Sequence, residues 1–172
     1  MAFTFDFRFD KLEDGTYCVT AYDGSSADPV VPSEYQGAAV TIIADDVFKG
    51  RPDITSVTIP DTVTDIGSFA FDGCFSLKSV SLPDSLHDMW QYAFARSGIE
   101  EITIPDGVRN IVPFTFMRCP NLRRVVMHKG VTEIYGNAFK DCPNLTEIIV
   151  PRECNIHDTA FDGCPKVPFI YI

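Results

Sequence analysis

VTDIGSFAFDGCFSLKSVSLP, Val63–Pro83, is one full copy of a unit that recurs with edits from Val31 to the end of this 172-residue chain. Its centre is Phe71, with Ala70 before it and Cys74 three residues after it. The same Phe recurs as Phe48, Phe71, Phe94, Phe116, Phe139 and Phe161. The residue before it is Val47, Ala70, Ala93, Thr115, Ala138 or Ala160. The residue three after it is Arg51, Cys74, Ser97, Cys119, Cys142 or Cys164. A proline closes each short apolar string at Pro32, Pro60, Pro83, Pro105 and Pro151, with His128 standing in once. After a first interval of 28 residues the gaps are 23, 22, 23 and 23. A fixed period near 23 residues over six copies marks a solenoid whose units cannot bury their cores alone.

Each unit also carries a string of three apolar positions: Ile54/Val57/Ile59, Leu77/Val80/Leu82, Ile99/Ile102/Ile104, Leu122/Val125/Met127 and Leu145/Ile148/Val150. The last copy is read as Val167, Ile170 and Ile172. The final two positions of each string lie two apart, as in a strand whose side chains alternate in and out. Stacked coils place these strands side by side as a parallel sheet along one concave face. SFAFDGC is too short for a regular helix. It predicts one helical or 3₁₀ turn that drives Phe71 inward, stopped by Gly73, Gly163 and the neighbouring Pro120, Pro143 and Pro165.

These residues resemble the bacterial BspA-like leucine-rich repeats. The resemblance rests on the I-G-x-x-A-F-x-x-C core (Ile66–Cys74), the L-x-x-V-x-L-P strand and the 22–23 residue beat, over about 31–172. It implies a right-handed leucine-rich-repeat β/α horseshoe, with a concave parallel sheet and short helical turns and strands on the other faces. It also implies adhesion or protein binding in a cell-surface or secreted setting and does not imply an enzymatic activity, so the chain is expected to be a non-enzymatic protein- or glycan-binding scaffold. The chain departs from the pattern at Arg51 and Ser97, at the residue missing around Ser97–Ile99, and at His128. Such edits are expected to bend the stack locally.

Residues 1–30 are not a repeat. Phe3, Phe5, Phe7 and Phe9 alternate with Thr4, Asp6 and Arg8, which is a strand with one buried face. LEDG is a turn signal and Gly15–Tyr22 a second strand. The expected product is an N-terminal β-hairpin that caps the first coil of one continuous domain, with about six leucine-rich repeats following over 31–172.

The net charge of −10 disfavours nucleic acid and anionic lipid headgroups, which need a basic face. MAFTFDFRFD has neither a basic start nor an apolar run, so it is not read as a signal peptide, and the chain is expected either to be cytosolic or to begin after a removed export signal. No segment approaches the ~20 apolar residues that span a bilayer. Cell surface or secreted is therefore expected from the resemblance, with the cytoplasm as the alternative.

The six cysteines read as core. Cys74, Cys119, Cys142 and Cys164 share one inward register, no C-x-x-C suggests zinc, and inward-parallel Cβ vectors disfavour disulfides. His87, His128 and His157 fall at different offsets and form no triad. No catalytic residue, cofactor site or metal site is assigned. The exposed strand positions carry the functional expectation. Glu101, Arg124 and Glu147 should form a charge ladder across three strands, and Val126, Ile149, Phe169 and Tyr171 an apolar run beside it. The partner-binding residues are expected to be Arg123, Arg124, Val126, Ile149, Phe169 and Tyr171. The last coil ends on a strand, from which the array either continues or pairs with a second copy to form a homodimer. A structural spacer or self-association module of a larger protein, and an intracellular interaction module, are the rival functions.

Overall fold

The computed structural model describes residues 6–172 as a solenoid of short parallel strands. The first strands are β1 (Phe7–Lys11), β2 (Tyr17–Tyr22), β3 (Glu34–Tyr35) and β4 (Ala38–Ile43). From β4 onward each coil adds a strand to one or both of two faces. The front face holds β5 (Ser56–Thr58), β7 (Ser79–Ser81), β9 (Glu101–Thr103), β11 (Arg124–Val126), β13 (Glu147–Val150) and β15 (Phe169–Tyr171). The second face holds β4, β6 (Asp65–Ile66), β8 (Asp88–Met89), β10 (Asn110–Ile111), β12 (Glu133–Ile134) and β14 (Asn155–Ile156). Between the faces lies the core, in which Val57, Ile102, Val125 and Ile148 of the front face meet Ile66, Met89, Ile111 and Ile134 of the second.

The Phe register becomes a continuous stack. Rings of Phe48, Phe71, Phe94, Phe116, Phe139 and Phe161 lie 4.9–5.6 Å apart, with neighbouring planes within 11° of parallel. The coil repeat sets this distance, because strand spacing of about 4.8 Å is close to a comfortable ring separation.

The turn that carries this Phe is not helical, and no helix occurs among the described residues. The residue two before the Phe has left-handed φ in five coils: Asp46, Phe69, Tyr92, Phe114 and Asn137. So does the residue two after it: Gly50, Gly73, Arg96, Arg118, Asp141 and Gly163. A right-handed helical turn cannot run through such positions. Alternate amides instead point along the stack. The N–H groups of Phe69, Phe71 and Gly73 donate to Gln91, Ala93 and Ala95 of the next coil, while those of Ala70, Asp72 and Cys74 donate back to Gly67, Phe69 and Phe71. The turns thus form a third hydrogen-bonded ladder. Left-handed Phe and Tyr are strained residues. Here Phe69, Tyr92 and Phe114 make a second stack, each step 4.7 Å, along the outer edge of the turns.

The shortened coil leaves a mark. Both faces lose strand pairing there, between β7 and β9 and between β8 and β10. The turn ladder runs on, with Phe94 N–H donating to the Thr115 carbonyl at 2.9 Å. Gly98 stands where the missing residue pulls the chain inward, and a Cβ there would lie 2.1 Å from the Phe75 carbonyl oxygen.

At the N-terminal end β1 and β2 pair antiparallel, and β2 joins β4 in parallel. Phe7 and Tyr22 pack on Phe48, 6.3 and 5.4 Å between centroids, so this hairpin covers the first ring of the stack. A bulge between Arg8 and Phe9 turns Phe9 onto Tyr35, stacked at 4.1 Å. Phe3 and Phe5 lie outside the described residues. A second hairpin, β3–β4, turns on Gln36 and Gly37, both with positive φ. The sequence expectation has no strand pair there.

Candidate functional site

On front-face strands β5, β9 and β11 the middle residue, Val57, Ile102 or Val125, is buried in the core and its two neighbours point out. β9, β11 and β13 pair in register, setting Arg124 opposite Glu101 on one side and Glu147 on the other. The guanidinium donates from Nε to Glu147 Oε1 at 2.8 Å, and its Nη1 stands 3.9 Å from Glu101 Oε2. The hydrogen bond to Glu147, then its charge, hold the Arg124 pKa above the ordinary value. The expected charge ladder is therefore present. Arg123 is exposed beside it.

The apolar row follows a different register from the expected one at its end. Val126 pairs with Ile149, and Ile149 pairs with Ile170. Phe169 pairs with Ile148 and Tyr171 with Val150, both core positions. Only 21 residues separate Ile148 from Phe169, against the usual 23, so the last string slips and each side chain changes face. Phe169 turns inward against Phe161 at 5.4 Å. Ile170, 49% exposed, takes the outward place read for Phe169 and Tyr171. Tyr171 remains 47% exposed at the end of the stack, under the Arg152 guanidinium. Val126, Ile149 and Ile170 thus form one apolar strip beside the Glu101–Arg124–Glu147 row.

The cysteines are free thiols in the core wall. Cys74, Cys119, Cys142 and Cys164 donate their S–H to the carbonyls of Phe48, Phe94, Phe116 and Phe139, one coil back, at 3.0–3.1 Å. Burial pushes the Cys74 thiol up to about 12 and the Cys18 thiol up to about 11. Neither is a thiolate nucleophile at neutral pH. Cys154 is only partly buried, and burial pushes it up as well.

Two of the three histidines, His128 and His157, serve turns. His128 Nδ1 accepts the Gly130 N–H at 3.0 Å, so Nε2 carries the proton and donates to the Val108 carbonyl at 2.9 Å. His157 Nδ1 accepts the Thr159 N–H at 3.2 Å. Among the described residues no three His, Cys, Asp or Glu side chains gather as a metal-ligand set. No helix of the described residues is long and apolar enough to cross a membrane.

Two features escaped the sequence reading. One is the Phe69–Tyr92–Phe114 stack, which borders a cavity of about 380 Å³ with Arg96 and Arg118. Its spacing of 23 and 22 residues was available as a signal. The other is Trp90, exposed on the second face.

Residues 41–168 match, in six copies, the family model for the BspA type leucine-rich repeat region. No curated protein sequence matches the chain. Among solved structures, a leucine-rich repeat protein of T. pallidum is 27% identical, with a TM-score of 0.80 over 98% of this chain and 85% of that one. A leucine-rich cell surface protein of Faecalibacterium prausnitzii is 28% identical, with a TM-score of 0.72 over 99% of this chain and 54% of that one. A leucine-rich repeat protein of Bacteroides capillosus is 32% identical, with a TM-score of 0.65 over 74% of this chain and 97% of that one. The chain therefore spans about half the length of the Faecalibacterium prausnitzii protein.

Proposed function

The chain belongs to the BspA type leucine-rich repeat family, and from that premise we propose that it is a non-enzymatic scaffold that binds a protein or glycan at a bacterial cell surface. The observation that carries this reading is the front face. There an outward row of charge, Glu101–Arg124–Glu147, runs beside the outward apolar strip Val126–Ile149–Ile170. The strip is half-buried at Val126 and Ile149 and exposed at Ile170, and an outward apolar strip rimmed by polar groups is the usual form of a contact surface. Arg123, Arg124, Val126, Ile149 and Ile170 are the proposed contacts, with Tyr171 at the edge of the patch and Phe169 supporting it from beneath. The surface location is supported by the kinship to the Faecalibacterium prausnitzii cell surface protein. The non-enzymatic reading is supported by the repeat family itself, by His128 and His157 held in turns, and by the buried thiols of Cys74, Cys119 and Cys142.

A second reading is a spacer or self-association module. It is favoured by β15, at one edge of the sheet β15-β13-β11-β9, whose Ile170 and Tyr171 are exposed. Edge strands pair readily with another chain, so a homodimer through β15 is the form this reading takes.

Arrayed glycans and extracellular matrix proteins, probed with the purified chain and with an Arg124→Glu, Ile170→Ser variant, separate the two. A binding scaffold retains a defined ligand and loses it in the variant. Retention of no ligand, together with dimers in sedimentation that the variant abolishes, supports the second reading and contradicts the first.

A further inference from the structure

The second face carries a groove of about 700 Å³ that the front-face reading leaves unused. Ala44 and Gly67 lie along its floor, Trp90 lines it, and Asp45 and Asp65 reach it. Gly67 lets its coil approach the preceding one closely, since a Cβ there would lie 2.5 Å from the Ala44 carbonyl carbon. Trp90 is 52% exposed, an unusual cost for the largest aromatic side chain in a molecule that stacks most of its rings.

The charge around this groove is also unlike the rest of the molecule. β6 and β8 pair in register, so Asp65 stands opposite Asp88. Carboxylates directly opposite on neighbouring strands repel. Elsewhere the chain avoids that arrangement. Arg124 separates Glu101 from Glu147 on the front face. Glu133 on the second face has Asn110 and Asn155 as its neighbours. Asp45 accepts the Ser68 N–H and Asp65 the Thr64 hydroxyl, both at 2.7 Å. These bonds orient the carboxylates without neutralising them. Among the described residues no ion pair reaches Asp45, Asp65 or Asp88.

We propose that this groove docks a lysine- or arginine-bearing peptide segment of a partner protein, its cation held between Trp90 and the Asp45, Asp65 and Asp88 carboxylates. Trp gives the strongest cation–π attraction of the aromatic side chains. A floor of Ala44 and Gly67 leaves room for the aliphatic stem of the same side chain to lie flat. The net charge of −10 adds long-range attraction for a basic partner. The groove is on the opposite side of the core from the proposed front-face contacts, so either site can fail without the other.

Trp90 is the one tryptophan of the chain, so its emission reports the groove directly. The full chain is titrated with an oligoarginine peptide, an uncharged oligoserine peptide and a neutral oligosaccharide. The expected result is a saturable change in emission with oligoarginine alone. Asp65→Asn with Asp88→Asn should weaken the apparent affinity about tenfold. Glu153→Gln with Asp158→Asn removes the same charge from the last coil and should leave the affinity unchanged. No saturable change with oligoarginine overturns the proposal. So does an equal loss in both double variants, which would reduce the effect to net charge. A saturable response to the oligosaccharide that survives Asp65→Asn and Asp88→Asn also overturns it, and makes the groove a glycan site.

Discussion

Phe94 sits fully buried in the middle of the ring stack, with Phe71 and Phe116 on its two faces. Removing it takes away transfer energy and leaves a cavity that two rigid neighbours cannot fill. Phe94→Ala should therefore cost about 3–5 kcal/mol in a urea unfolding curve, and Phe161→Ala, at the half-covered end of the stack, clearly less. The thiols make a second residue-scale prediction. Cys74, Cys119 and Cys142 are fully buried and hydrogen-bonded to backbone carbonyls. A thiol reagent followed by mass spectrometry should modify Cys154 and Cys164 first, and those three only on unfolding. Rapid modification of Cys74 in the native protein would contradict the packing described here. At this scale the sequence was readable. A residue type that returns every 22–23 positions next to Ala and before Cys has no use for that regularity except to face its own copies. The same logic applied to Phe69, Tyr92 and Phe114 would have found the outer stack. It went unread because only three of the six coils carry an aromatic there.

The turns show what pattern alone does not reveal. A helical or 3₁₀ turn fits SFAFDGC by length, yet two left-handed residues in most coils exclude it. Glycine at Gly50, Gly73 and Gly163 hinted at this, but Arg96, Arg118 and Asp141 occupy the same position in other coils. The cost of their strain is offset by amides that bond to the next coil, an arrangement visible only when coils are stacked. The slip at β15 has the same origin. VPFIYI reads equally well in two registers, and only pairing with β13 chooses between them. The shortened coil supplies the element-scale prediction. Gly98→Ala places a methyl 2.1 Å from the Phe75 carbonyl. Backbone on both sides must shift, so the variant should lose about 1–3 kcal/mol by thermal or urea unfolding. An unchanged midpoint would mean that the close approach at the pairing break does not hold the coil in place.

Across the whole molecule, three ladders hold one core: front strands, second-face strands and turns. Each coil depends on its neighbours, as expected of a linear array. The turn ladder and the ring stack continue where both strand ladders break, so the break need not divide the array into separate folding units. The scaffold was legible in the sequence because it repeats. The surface was only partly legible because function lies in what does not repeat. The Glu101–Arg124–Glu147 row could be read from strand positions, whereas Ile170 required the observed register. The Trp90 groove required the knowledge that Asp65 and Asp88 stand side by side.

The central claim is that binding resides in the front-face strip and not in the scaffold beneath it. Its most direct test is the ratio of dissociation constants of the Arg124→Glu, Ile170→Ser variant and the parent chain for a ligand retained from the panel, measured beside the urea midpoints of both. The account predicts a loss of affinity of about tenfold or more, with no fall in the midpoint large enough to unfold the variant. Equal affinity in the two proteins would place the binding surface elsewhere and contradict it.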